Sequence, residues 1–336
     1  MSTYEGPGDR PVAVYTKNDD TDAAPGIALL ERAGFDVREL DTNDAQEIID
    51  GAQDAVALLV GYAEIDRRVI ESLPNLRLVS LMSMGFNNVD IDAANEHGVW
   101  VTNIPGVATE EVATHALALL LQSVRQFGYY TKSSTANFEE WNSRAEIAPW
   151  RLSERTLGIV GLGKIGRKFI EFAGSLFGEV VGYDPLLPDT YDVRAMLDEL
   201  GVRRTSLEEV QRVSNVLSLH VPLTPETEHM IDERFIEGMP ERALIVNVSR
   251  GALLDSRAVG DAVRSGRLSG AALDVLEEEP PPADHPLLGV DGVVITPHVA
   301  YYSERTEAEY VRIQAQNAVT LVETGEPDTP VNSPGI

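Results

Sequence analysis

One stretch constrains this chain more than any other: Gly158-Ile159-Val160-Gly161-Leu162-Gly163-Lys164-Ile165-Gly166-Arg167. An apolar run enters a tight turn and leaves as a helix. Gly161 lets the chain turn, Gly163 lets backbone approach a ligand, and Gly166 lets helix and strand pack closely. The helix N–H groups then face an anion. A second apolar run, Val180 to Tyr183, ends at Asp184, 18 residues after Gly166. An acid there accepts the hydroxyls of an adenosine ribose. The plain alternative is a structural Gly-rich turn; the acid at this spacing favours a dinucleotide.

The rest of the chain must be compatible with that turn. Its 336 residues suffice for about two domains. No apolar run approaches the roughly 18 residues of a membrane span, and residues 1–10 carry no apolar leader core. The absence of cysteine excludes disulfides, thiolate metal sites and a cysteine nucleophile, and fits the cytoplasm. The net charge of −27 repels nucleic acid and anionic membrane. Lysine occurs only at Lys17, Lys132, Lys164 and Lys168. Acidity with lysine depletion points to adaptation to molar salt, where self-repulsion is screened; general solubility is the blander reading.

Residues 11–104 alternate apolar strands with helical patterns and predict a doubly wound parallel sheet. The strands are 11–16, 35–40, 56–60, 76–82 and 99–102; the helices are 22–33, 44–50, 66–72 and 90–97. After Pro105-Gly106 comes one long apolar helix, 107–126. Residues 128–150 lack clear periodicity and carry Tyr and Trp, which suggests an arm packed on a partner. Strand–helix alternation resumes at Thr156 and runs to about Pro297, followed by a final helix over 303–324.

Beyond the glycine turn, each strand delivers polar groups at its carboxyl end, the edge where open parallel sheets bind ligands. The motifs are LHVPLTPET (219–227), NVSRG (247–251), ALDVLEEEP (272–280) and TPH (296–298). With GLGKIG and Asp184 in order, the chain resembles the D-isomer-specific 2-hydroxyacid dehydrogenases over nearly its full length. That resemblance implies two doubly wound domains. Residues 1–104 with 302–336 would form a discontinuous flavodoxin-like substrate domain, and 105–301 a Rossmann cofactor domain. The active site would lie in the cleft between them. A homodimer would form through the long helix and the 128–150 arm.

The resemblance carries roles onto matching positions. Arg250, Glu279 and His298 match the catalytic trio. Physics agrees: a 2-oxo acid needs a cation for its carboxylate, and the developing alkoxide needs a proton that histidine can give near neutrality. Glu277 and Glu278 are read as solvated neighbours. The cofactor contacts implied are Gly161, Gly163, Lys164, Ile165, Asp184, His220, Pro222, Thr227, Val248, Ser249, Arg250, Asp274, His298 and Ala300, with Asp274 meeting the nicotinamide carboxamide. The substrate contacts implied are Ser83, Met84, Gly85, Arg250, His298 and Tyr301. His115 reads as packing, His97, His229 and His285 as helix-end or loop residues, and no metal is expected. Met84 departs from the small or Lys residues of some members, which argues against a phosphonate substrate; Glu279 in place of Gln argues against formate.

Asp184 favours NAD over NADP, with no arginine following until Arg194; NADP stays possible because molar salt weakens the repulsion. The segment from His298 to Glu304, with Tyr301, is similar to the C-terminal-binding-protein branch. Two readings follow: NAD-dependent reduction of a 2-oxo acid with His298 as proton donor, or a dinucleotide-sensing binding protein with weak turnover.

Overall fold

The computed structural model describes residues 10–18, 21–136, 145 and 148–335. These fall into two compact units, Met1–Val107 with Ser303–Ile336, and Ala108–Tyr302. The boundaries lie a little later than the sequence suggests. The Ile104 N–H donates to the Ser83 carbonyl at 2.9 Å and ties this stretch to the first unit. Ser303 starts the last helix through a capping box with Thr306, so the second break falls directly before it.

The first unit has a parallel five-stranded sheet ordered β2-β1-β3-β4-β5. Its strands are β1 (Val12–Tyr15), β2 (Asp36–Glu39), β3 (Ala57–Val60), β4 (Leu78–Leu81) and β5 (Trp100–Thr102). Connecting them are α1 (Ala24–Arg32), α2 (Ala45–Gly51), α3 (Arg67–Ser72) and α4 (Ile91–Glu96). Asp44, Asp66 and Asp90 cap α2, α3 and α4 by accepting N–H groups of the first turn. Strands β3 and β4 are buried at every position, as a sheet covered on both faces requires. The chain's last helix, α12 (Glu304–Thr324), returns to this sheet. Gln314 donates to the carbonyls of Val60 and Ser80, and the Ser80 hydroxyl donates to the Gln314 carbonyl. Asn332 then accepts from the Val101 N–H at 2.8 Å.

The second unit opens with α5 (Thr109–Arg125), which buries Val112, Ala113, Ala116, Leu119, Leu120 and Val124 along one face. A second helix, α6 (Phe127–Ala136), forms the first part of the segment expected as an arm without clear periodicity. Its sequence, FGYYTKSSTA, has too weak an apolar period to betray a helix. Residues 137–144 and 146–147 of that arm lie outside the described residues.

A seven-stranded parallel sheet follows, ordered β12-β11-β10-β9-β6-β7-β8. The strands are β6 (Thr156–Val160), β7 (Glu179–Tyr183), β8 (Val202–Arg204), β9 (Val216–Leu219), β10 (Ala243–Asn247), β11 (Leu268–Leu273) and β12 (Val293–Ile295). The helices are α7 (Lys164–Ala173), α8 (Tyr191–Glu199), α9 (Leu207–Val213), α10 (Glu233–Gly238) and α11 (Ser256–Arg264). The order reverses between β6 and β9, the switch point where such sheets bind ligands. There Val160 pairs with Leu219, so Gly161 and His220 emerge side by side.

Candidate active site

At the switch point Gly161 has φ +97°, and a Cβ on it would stand 2.4 Å from the His220 carbonyl oxygen. A Cβ on Gly166 would stand 2.1 Å from the Gly161 carbonyl oxygen. Both glycines are therefore obligatory for the close fit of turn, helix and neighbouring strand. Gly163 differs: a Cβ there meets nothing within 4 Å. The turn is open on that side, and no side chain caps the start of α7. Lys164 and Ile165 follow in its first turn, without an acid. A cation at a helix N-terminus opposes the dipole unless an anion sits there. These features fit a dinucleotide pyrophosphate.

Asp184 follows β7 and is held by backbone. Its Oδ2 accepts the Leu162 N–H at 2.9 Å, and its Oδ1 accepts those of Leu186 and Leu187 at 2.9 and 3.2 Å. Arg194, the next arginine along the sequence, forks onto Asp189 instead. The cation that reaches this corner is Arg204, from the end of β8; it donates to the carbonyls of Asp184 and Leu187. A residue 20 positions downstream becomes a neighbour only because β8 pairs with β7.

His220 lies beneath the turn. Its Nε2 is 2.9 Å from the Ser218 hydroxyl, its ring packs on Phe169, and its Nδ1 is buried without a partner. Burial pushes its pKa down to about 3, so the imidazole is neutral. Thr227 closes the next loop by donating to the Pro222 carbonyl at 2.8 Å.

The segments after β10, β11 and β12 carry Arg250, Glu279 and His298 respectively. Buried Asn247 holds the β10 loop: its amide donates to the Arg250 carbonyl, and its oxygen accepts the Ser249 N–H. Ser249 in turn donates to the Leu219 carbonyl at 2.9 Å, and Val248 is buried beside it. Burial pushes the Arg250 guanidinium pKa down, opposed by the charge of Glu279. Gly251 abuts the next loop so closely that a Cβ would stand 1.9 Å from the Leu276 carbonyl carbon and 2.3 Å from the Glu277 nitrogen. Glu279 Oε1 accepts the Leu276 N–H at 2.8 Å, and its Oε2 is 2.6 Å from His298 Nδ1. Burial alone would raise the Glu279 carboxyl. The His298 hydrogen bond and charge, the Leu276 N–H and Arg250 outweigh it and hold the group below the usual carboxylate range. Glu277 and Glu278 are both exposed, as read from the sequence; Glu277 also stands 3.2 Å from His229 and accepts the Ser256 N–H.

His298 has φ +54°, a left-handed conformation that costs a non-glycine residue about 1 kcal/mol or more. Asp274 holds it there. Only 1% of its surface is exposed. Its backbone carbonyl accepts the His298 N–H, while its carboxylate accepts the N–H groups of Val299 and Ala300 and the Thr296 hydroxyl. Both oxygens of the residue assigned to the nicotinamide carboxamide are thus engaged within the protein. Thr296 and His115 were not anticipated as site residues: His115 Nε2 is 2.9 Å from the Thr296 hydroxyl.

Tyr301 follows on the same loop, its ring edge-on to exposed Tyr302. Ser83, Met84 and Gly85 lie in the first unit, in a turn after β4. The Ser83 hydroxyl donates to the Gly85 carbonyl at 2.6 Å, and Asn103 donates to that of Met84 at 2.7 Å. A cavity of about 720 Å³ opens against α7 and α8, but none of Arg250, Glu279 or His298 lines it. Among the described residues no cluster of three or more His, Asp or Glu could hold a metal, and no helix is long and apolar enough to cross a membrane.

A Rossmann sheet with an open glycine turn, and a histidine–carboxylate pair with a half-buried arginine at its carboxyl edge, define a dinucleotide-dependent oxidoreductase. Comparison with known proteins narrows the class. Residues 117–300 match the NAD-binding domain of the D-isomer specific 2-hydroxyacid dehydrogenases. Over 289 residues the chain is 36% identical to a glyoxylate reductase of Korarchaeum cryptofilum, covering 85% of each. A D-lactate dehydrogenase structure from Aquifex aeolicus, complexed with NAD and lactic acid, is similar at TM-score 0.84 and 27% identity, covering 96% of this chain and 100% of that one. An NADPH-dependent glyoxylate/hydroxypyruvate reductase from Sinorhizobium meliloti, with NADP and malonate, gives 0.84 and 25%, covering 96% and 97%. The chain belongs to the D-isomer specific 2-hydroxyacid dehydrogenase family.

Proposed function

We propose that this protein reversibly reduces a small 2-oxo acid to the D-2-hydroxy acid, with NADH as reductant. The carrying observation is the 2.6 Å contact between His298 and Glu279, on the strand edge that also bears Arg250. The Gly161–Gly166 turn and Asp184 would hold NADH, which when bound would supply the hydride for C2 of the acid. Arg250 pairs with the substrate carboxylate through parallel N–H donors. Glu279 engages Nδ1 of His298, so Nε2 carries the proton given to the forming alkoxide oxygen. In the oxidative direction the same nitrogen takes the proton back. Tyr301 bounds the substrate side chain.

The test is turnover of glyoxylate, hydroxypyruvate and pyruvate with NADH at molar KCl. Oxidation of NADH by at least one, abolished in His298→Ala, is the expected result; no turnover with any would sink the reading. The binding-protein alternative gains nothing from the relatives above, all named as enzymes. Asp184 supports NAD over NADP, because a carboxylate repels a 2′-phosphate.

Three further properties belong to the same proposal. A homodimer would use α5 and the segment after it, where Phe127 and Tyr129 are exposed apolar residues. The charge of −27 with four lysines supports a salt-adapted protein. The absence of cysteine suits a cytoplasmic setting.

A further inference from the structure

The loop that carries His298 is anchored to a residue far away in the chain. Thr296 Oγ1 is 2.5 Å from Asp274 Oδ1 and 2.9 Å from His115 Nε2. A hydroxyl has a single hydrogen, and an ionised carboxylate can only accept. The Thr296 hydrogen therefore goes to Asp274, and the Thr296 oxygen must accept from His115. This fixes His115 as the Nε2–H donor. The same N–H also leans toward Asp274 Oδ1 at 3.5 Å. Asp274 then has both oxygens engaged: Oδ1 with Thr296 and the Val299 N–H, and Oδ2 with the Ala300 N–H. Those two amides directly follow the left-handed residue His298.

We propose that His115 is a positioning residue for His298, acting through Thr296 and Asp274. This rests on the dehydrogenase reading above. Helix α5 is seated by its buried apolar face, so its side of the network is fixed. Without the His115 N–H, one acceptor on Thr296 is left open and Asp274 loses part of its compensation. The amides of Val299 and Ala300 are then held less firmly, and the imidazole is no longer aimed at one point. The effect falls chiefly on proton delivery, because the glycine turn and Asp184, which anchor the dinucleotide, make no bond to this network. A role in packing alone would affect stability without separating these two.

The experiment uses the full chain and the variants His115→Ala, His115→Gln and Thr296→Val. Gln reaches far enough to return an N–H donor. Expected for His115→Ala is a kcat lower by about tenfold, the loss of one hydrogen bond to a charged network. KM for NADH should stay within about twofold. Hydrogen exchange in a peptide spanning residues 296–302 should accelerate, with other peptides of the second unit unchanged. His115→Gln should recover most of the kcat, and Thr296→Val should reproduce the loss. Wild-type kcat and exchange in both His115→Ala and Thr296→Val would overturn the proposal, as would kcat and KM for NADH changing together. If His115→Ala does not fold, Thr296→Val decides by the same criteria. If the wild-type protein turns over no 2-oxo acid, the dehydrogenase reading fails, and exchange at 296–302 still decides whether His115 holds the loop.

Discussion

Glu279 engages His298 with one carboxylate oxygen and its own loop with the other: Oε2 is 2.6 Å from the ring Nδ1, and Oε1 accepts the Leu276 N–H. The carboxylate cannot rotate without losing one of the two bonds. In the proposed reaction Nε2 of His298 is thereby left as the atom that handles the proton. His298→Ala should lower kcat by roughly 10²–10⁴-fold, the usual worth of a positioned acid. Glu279→Gln should lower it less. Its pH signature follows from the depressed carboxyl. The stabilising contribution of Glu279 is complete above the ordinary value of 4.5 and is lost as pH falls through the lower folded value. The Tm gap between wild type and Glu279→Gln should be constant at neutral pH and close only in acid.

Gly251→Ala places a methyl group where the Leu276 carbonyl already stands. We expect destabilisation of about 1–3 kcal/mol from backbone displacement, measured by urea unfolding, and a kcat reduced by at least about tenfold. An unchanged kcat would show that the two loops are not coupled.

Asp184→Ser removes the charge that opposes a 2′-phosphate and leaves Arg204 at the same corner. The ratio of kcat/KM for NADPH over NADH should rise by about tenfold or more. Asp184 also ties Leu162 to the β7 end, so some loss with NADH is expected as well.

His220 sets an acid limit on stability. Its pKa is 6.5 unfolded and about 3 folded, so the unfolded chain binds a proton that the native state refuses. Its contribution is complete above pH 6.5 and is lost as pH falls toward 3. The slope is up to about 1.4 kcal/mol per pH unit. His220→Asn should flatten the fall of unfolding free energy in that window, read by denaturant titration at successive pH values.

Salt should stabilise the native protein. At about 1 M KCl charge interactions are screened within roughly 3 Å, which relieves the repulsion implied by a net charge of −27. Tm is expected to rise steadily from low salt to molar KCl. A Tm independent of salt would assign the acidity to solubility alone.

Local signals in the sequence were good guides wherever one residue acts on its near neighbours. Asp44, Asp66 and Asp90 mark helix starts because a short acid caps amides two or three residues on. The Gly161–Gly166 turn is legible for the same reason; Arg250, Glu279 and His298 are named by resemblance, and of these the structure shows the His298–Glu279 contact. What stayed hidden was made by topology. His115 and Thr296 are 181 positions apart, and nothing in an apolar helix tells which polar residue will face a strand end. Arg204 sits in a short strand without a motif and acquires a role from its pairing with β7. Helix α6 was missed because Tyr, Ser and Thr give it little apolar period.

The contact of Gly251 with Leu276 and Glu277 has a consequence for redesign. Arg250 and Glu279 ride on two segments whose main chains touch with no side chain between them. Neither segment can be exchanged for a relative's version on its own, since the curvature of one is the mould for the other. Transplants meant to alter substrate choice should therefore carry residues 247–253 and 274–280 as a single cassette, and half-transplants should fail even when every catalytic side chain is retained.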